Sequence, residues 1–177
     1  MDIEAYLTTH DDTLRYHCKY YHDPNNWNNC PSEIKEALSE EQWTDYIKYL
    51  DEDGNLSPEL DHLPKDQGGI YVFFIQGQTL PFTEMYLAYV GRAQSTDAQN
   101  IRKRVKEYLR NSSKKNARPK IARLFKYWKD FLYVKIFSTK DNDLIIRGES
   151  ALINSILPPF NSDMPESISY KEPVSAF

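Results

Sequence analysis

The sequence predicts an α/β chain of the α+β type, a small sheet flanked by helices with a helical N-terminal extension, and three observations carry that expectation. Two apolar runs, about 69–76 and 85–91, are separated by a turn-forming stretch from Gly77 to Phe82, which is how a long-looped hairpin reads. Two helical stripes follow directly. The run FLYVKIFST then reads as a third strand, so the order is β-β-α-α-β with one more helix after it.

The 177 residues suffice for one domain of ordinary size, or for a small domain carrying an extension. Composition shifts near residue 66, which divides an acidic, mainly helical extension (1–66) from the domain proper with a short tail (67–177). In the extension, Ile34, Leu38, Trp43, Ile47 and Leu50 recur at roughly helical spacing, with Ser32 placed as an N-cap. The opening MDIEAYLTTHDD has no basic and apolar leader, and no apolar run reaches membrane-spanning length, so a cytoplasmic protein without a membrane partner is expected. Two cysteines, Cys18 and Cys30, fit a reducing compartment. With His17 and His22 they offer four metal-binding side chains, but the spacing fits no common zinc module.

Past the hairpin, Ile101, Val105 and Leu109 recur every four residues and stripe one face of a helix, with Arg104 and Tyr108 one turn apart on its rim. The next helix, about 117–129, turns Ile121, Leu124, Phe125 and Trp128 inward and leaves Arg118, Lys120, Arg123, Lys126 and Lys129 outside. In the last helix Ile145, Ile146, Leu152, Ile153 and Ile156 share one direction, and Glu149 points along it. A carboxylate in an apolar stripe must meet a cation, a metal ion or a donor cluster, or take up a proton. The competing reading is a glutamate paired with an arginine inside the core.

Charge is segregated along the chain. The net charge is −4, yet residues 1–66 hold 5 Lys/Arg against 16 Asp/Glu, and residues 92–135 hold 14 Lys/Arg against 3 Asp/Glu. A basic segment of that density suits a nucleic acid. Arg102, Lys103, Lys106, Lys114, Lys115, Arg118, Lys120 and Arg123 are its candidate backbone contacts, and Ser112 to Lys115 read as a loop on the phosphates or as a solvated turn. No phosphate-cradling glycine loop is present.

Gly69-Ile70-Tyr71, Tyr89-Val90-Gly91, Arg104 in IRKRVKEY, Glu149 in RGESALI and Asn161 in PPFN stand in an order that resembles the GIY-YIG nuclease domain. The pattern is similar to that of small GIY-YIG restriction endonucleases and of the nuclease domain of bacterial excision-repair proteins, and covers about residues 66–163. The resemblance implies a three-stranded antiparallel sheet with flanking helices, and DNA as partner. It also implies one divalent cation, Mg²⁺ or Mn²⁺, and phosphodiester hydrolysis in a single basic cleft. It assigns Tyr71, Tyr89, Arg92, Arg104, Tyr108, Glu149 and Asn161 to the site. Glu149 is the metal ligand, Arg104 the phosphate clamp, Arg92 a cationic donor where many relatives have lysine, and Tyr71 the family's general base. A phenol with pKa near 10 is a poor base at neutral pH unless cations depress it. Tyr89 and Tyr108 support by hydrogen bonds, with histidine common in relatives at the Tyr108 position, and Asn161 fixes the site.

The expected function is therefore a metal-dependent DNA endonuclease, restriction-like or associated with a mobile element. A structure-specific repair or recombination nuclease and a binding module with a degenerate site are the alternatives. One such site cuts one strand, so a double-strand break needs a homodimer or two visits. The acidic extension is expected either to dock beside the basic surface or to complete the core through Trp43, Ile47 and Leu50.

Overall fold

The computed structural model describes residue 18 and residues 24–76 and 85–161. Two short helices, α1 (Pro24–Asn28) and α2 (Ser32–Ala37), lead to a two-residue strand β1 (Ile47–Lys48). The hairpin strands are β2 (Gly68–Ile75) and β3 (Tyr86–Ala93), and the loop predicted between them lies outside the described residues. Helices α3 (Ile101–Asn111) and α4 (Pro119–Trp128), strand β4 (Leu132–Thr139) and helix α5 (Asn142–Ile156) complete the order.

The fold is α+β. Its antiparallel sheet runs β1-β4-β2-β3, so the three strands read from the sequence are joined by a fourth from the extension. β2 lies between β4 and β3, with Tyr71 opposite Gly91 on one side and Ile136 on the other. Side-chain alternation divides β2 between two cores. Tyr71, Phe73 and Ile75 face α3 and α4 with Val105, Tyr108, Leu124 and Phe125. Ile70 and Val72 face α5 and α2 with Ile145, Leu152 and Ile34.

The long helical stripe expected across Ile34 to Leu50 is not one helix. α2 stops at Ala37, Trp43 forms an isolated bridge to Phe137, and Ile47 pairs with Val134 on β4. Pro31, not Ser32, caps α2. The segment from Trp43 is rich in aromatic and β-branched residues, and buried Ile47 and Tyr49 alternate with exposed Tyr46 and half-buried Lys48, a period that suits a strand. Tyr49, Leu50, Leu60 and Leu63 are buried in the same core as Tyr71. The described part of the extension is thus a wall of the domain. Cys18 packs against one core and Cys30 is buried in the other; His17 and His22 lie outside the described residues.

α5 starts on Asp141, whose carboxylate accepts from the backbone N–H groups of Asp143 and Leu144. It ends with Leu157 in the left-handed conformation (φ 49°), and Pro158-Pro159 prevents further helix. The chain then returns along the outer edge of β3. The Phe160 amide donates to the Ala88 carbonyl, and the Asn161 side chain accepts from the Val90 amide at 2.9 Å and donates to the Val90 carbonyl at 2.8 Å. Among the described residues no helix is long and apolar enough to cross a membrane.

Candidate functional site

The site begins with the backbone of α3. The Asn100 side chain accepts from the Lys103 amide and fixes the helix start, which places Arg104 and Tyr108 on successive turns. Further along, the Tyr49 hydroxyl docks on the helix backbone. It donates to the Val105 carbonyl at 2.9 Å and accepts from the Leu109 amide at 3.2 Å, two groups one helical turn apart. Burial pushes the Tyr49 phenol up, so it remains a neutral donor.

Tyr108 is the hub of a phenol cluster. Its hydroxyl is 2.7 Å from that of Tyr71 and 3.1 Å from that of Tyr89. Arg118, the residue before Pro119 at the start of α4, donates to Tyr89 at 3.0 Å and to Tyr108 at 3.2 Å. Its guanidinium lies 5.6 Å over the Tyr89 ring, and that of Arg104 lies 5.5 Å over the Tyr108 ring, so both cations are seated on aromatic faces. Phe125 stacks on Tyr108 from below, with 12° between the rings. The two arginines, Tyr108 and Lys114 line a cavity of about 300 Å³ between α3 and α4.

The electrostatics of the cluster bear on the base expected at Tyr71. The Tyr71 phenol is fully enclosed (0 % exposed), and burial first, then the neighbouring Tyr108 and Tyr89, push it well above the ordinary tyrosine range. Arg104 pulls the other way and does not offset them. Tyr89 is raised for the same reasons against the pull of Arg118. The condition for Tyr71 to act as a base at neutral pH, depression by neighbouring cations, is therefore not met by this arrangement of protein groups. Tyr71 is a neutral partner of Tyr108, and Tyr108 is the phenol of the cluster that borders the cavity.

The second constellation lies on the other face of the sheet. Arg92 is opposite Ile70 and points to the α5 side, where its guanidinium forms an ion pair with Glu149. The glutamate side chain is only 16 % exposed, and the cation its position demanded is Arg92. Gly148 beside it lets α5 close on the sheet, since a Cβ there would sit 2.7 Å from the Ile70 side chain. The single cleft implied by the resemblance is thus two groups of side chains divided by β3. Gly91 underlies Tyr71 on one face, and Arg92 reaches Glu149 on the other, consecutive residues about 3.8 Å apart along the chain. Asn161 holds the edge of that strand. Lys120 of α4 donates to the Asn161 carbonyl at 2.6 Å and so ties the arginine face to the segment that follows α5.

The basic residues divide by role. Asp61 of the extension pairs with both Arg102 and Lys106, the latter at 2.7 Å, and the two cations hold its carboxyl down at about 2. Lys103 donates to the Ala98 carbonyl at the helix start, while Lys114 and Lys115 are exposed in the α3–α4 turn. Arg123 is half-buried on α4. Burial pushes the Lys120 ammonium down, in keeping with its internal contact. Arg118, read from sequence as an outer-face contact, is exposed as expected, and its guanidinium also bonds the hydroxyls of the phenol cluster. Its only local signal is its place directly before a helix-starting proline. Compared with protein-family models, curated proteins and solved structures, the chain matches none.

Proposed function

We propose that this protein is a metal-dependent endonuclease that hydrolyses DNA phosphodiester bonds, of the GIY-YIG type that its motifs resemble. The observation that carries the reading is the arrangement around β3. Residues chosen from the sequence as site residues converge on three consecutive positions of this strand, Val90 bound by Asn161, Gly91 under Tyr71 and Arg92 paired with Glu149. Arg104 and Tyr108 border the cavity next to it.

The residues present fit one water-rich divalent cation. Glu149 offers a single, partly exposed carboxylate, and Mg²⁺ is commonly held by one or two carboxylates with substrate phosphates and water completing its shell. Such an ion would lower the pKa of a bound water and draw charge from the phosphate. Glu149 would hold it, with Arg92 released to the substrate. Arg104 presents a permanently charged fork to non-bridging oxygens, and the phenols beneath fix its plane. Tyr108, which shares hydrogen bonds with Tyr71 and Tyr89 and accepts one from Arg118, is the phenol of the cluster that borders the cavity.

A restriction-like or mobile-element enzyme is the favoured setting within this class. A binding module without turnover is the second reading, favoured by the Arg92–Glu149 ion pair and by the enclosure of Tyr71. Supercoiled plasmid incubated with the protein in Mg²⁺, Mn²⁺ or EDTA decides between them. The endonuclease nicks or linearises the plasmid only with metal, and Glu149→Gln abolishes cleavage while DNA binding persists. Cleavage by Glu149→Gln at the wild-type rate would sink the assignment; metal-independent binding without cleavage would leave the second reading.

A further inference from the structure

The cavity between α3 and α4 brings two arginines together with little to neutralise them. Arg118 has no carboxylate within ion-pair distance among the described residues, and for Arg104 the nearest is Glu107 on its own helix at 4.0 Å. Arg118 also stands at the N-terminus of α4, where a positive charge opposes the helix dipole. Lys114 adds a third cation at the rim. Two guanidiniums seated on aromatic faces and one exposed ammonium stand against a single carboxylate in the same lining, Glu107, and the surplus of positive charge makes a receptor for a further anion.

The cavity is larger than a bare phosphate needs. About 300 Å³ lies at the lower end of the range for small-molecule pockets. Asn111, the last residue of α3, forms one side of it. An amide side chain on that wall can bond a sugar hydroxyl or a base edge. The phenol floor is nearly closed, so a ligand sits over Tyr108 and beneath Lys114.

We propose that this cavity is a nucleotide subsite. It takes one nucleotide of the nucleic acid, with its phosphate between Arg104 and Arg118 and its sugar or base against Asn111. The assignment rests on the reading of the protein as a nucleic-acid enzyme, but its test needs no cleavage and no metal. It makes Arg118, which lies outside the five motif elements, a substrate-binding residue.

The probes are the four deoxynucleoside 5′-monophosphates, the corresponding nucleosides and inorganic phosphate. Each is titrated in EDTA by calorimetry and by amide chemical shifts against full-length protein. The monophosphates are expected to bind, to shift amides of α3 and α4, and to bind more tightly than inorganic phosphate, while nucleosides do not bind. Arg118→Ala should lose about tenfold or more in affinity, the scale of one charge-assisted hydrogen bond. Asp143→Asn, in the first turn of α5 on the opposite face of the sheet, should bind as wild type. Should Arg118→Ala fail to fold, Arg118→Lys and the exposed Lys114→Ala serve instead, and both are expected to weaken binding. Unchanged affinity in the folded variants overturns the subsite, and phosphate binding as tightly as the nucleotides overturns the nucleotide assignment. Nucleotide binding without plasmid cleavage under any metal would retain the subsite and remove the endonuclease, whereas cleavage without nucleotide binding would do the reverse.

Discussion

At position 91 a side chain has no room, because the Tyr71 phenol occupies its place: a Cβ on Gly91 would lie 2.5 Å from the Tyr71 hydroxyl. Gly91→Ala is therefore expected to push Tyr71 off Tyr108, to destabilise the fold by about 1–3 kcal/mol as overpacking does, and to impair cleavage more than DNA binding. Thermal melting and turnover assays check this, and a fully active variant would show that the phenol contact is dispensable. The raised phenols make a second prediction. Tyr71 and Tyr89 ionise at higher pH in the fold than the value near 10 of the unfolded chain, so their contribution to stability is complete below that value and is lost as pH rises beyond it. Alkaline titration should show the enclosed phenols ionising together with loss of the fold, by tyrosinate absorbance and circular dichroism; complete ionisation with the dichroism intact would refute it. At this scale the sequence was informative where chemistry conflicted with periodicity. Glu149 stood out as a charge on an apolar face, and it found a cation. Arg118 did not stand out, because a basic residue beside other basic residues looks like solvated surface, and only the tertiary fold brings the Tyr89 and Tyr108 hydroxyls to its guanidinium.

Among the elements, α3 is the one whose geometry is set from outside itself. The Tyr49 hydroxyl bonds both the Val105 carbonyl and the Leu109 amide, one residue from each of Arg104 and Tyr108. In Tyr49→Phe the freed amide and carbonyl can close on each other, so the stability loss should be only about 1 kcal/mol, the net worth of a hydrogen bond. Turnover is expected to fall with DNA affinity unchanged; turnover equal to wild type would mean that the Tyr49 hydroxyl has no bearing on the site. The hairpin, α3, α4, β4 and α5 were legible because each carries a long period of 2 or 3.6 residues with a turn or cap at its end. The extension was not, because the spacing from Ile34 to Leu50 fits a helix and a broken series of short pieces equally well. Only pairing with β4 decides for Ile47, and a pairing between residues so far apart in sequence leaves no local mark.

For the molecule as a whole, the opposed charges of the two halves meet at Asp61, which occupies two cations of the basic segment. The sequence presented docking and core completion as rival roles for the extension, and the described part does both, since Leu60 beside Asp61 is fully buried. Removing residues 1–66 should therefore yield an insoluble chain, which makes Asp61→Asn the cleaner probe of charge. That variant should raise non-specific DNA affinity at low salt, with the gain shrinking as salt screens it and the salt dependence steepening by up to about two phosphate contacts. Salt-titrated binding that superimposes on wild type would show that Arg102 and Lys106 take no part in the interface. The segment after α5 has a different consequence at this scale. By bonding Ala88 and both backbone groups of Val90, it covers the flank of β3 at which a neighbouring chain could have added a strand, and the opposite flank of the sheet is the two-residue β1. Among the described residues neither flank of the sheet offers a long free edge, so fusion of two sheets into one is disfavoured, and a paired cut by the proposed endonuclease would have to be organised through helices or by the duplex itself.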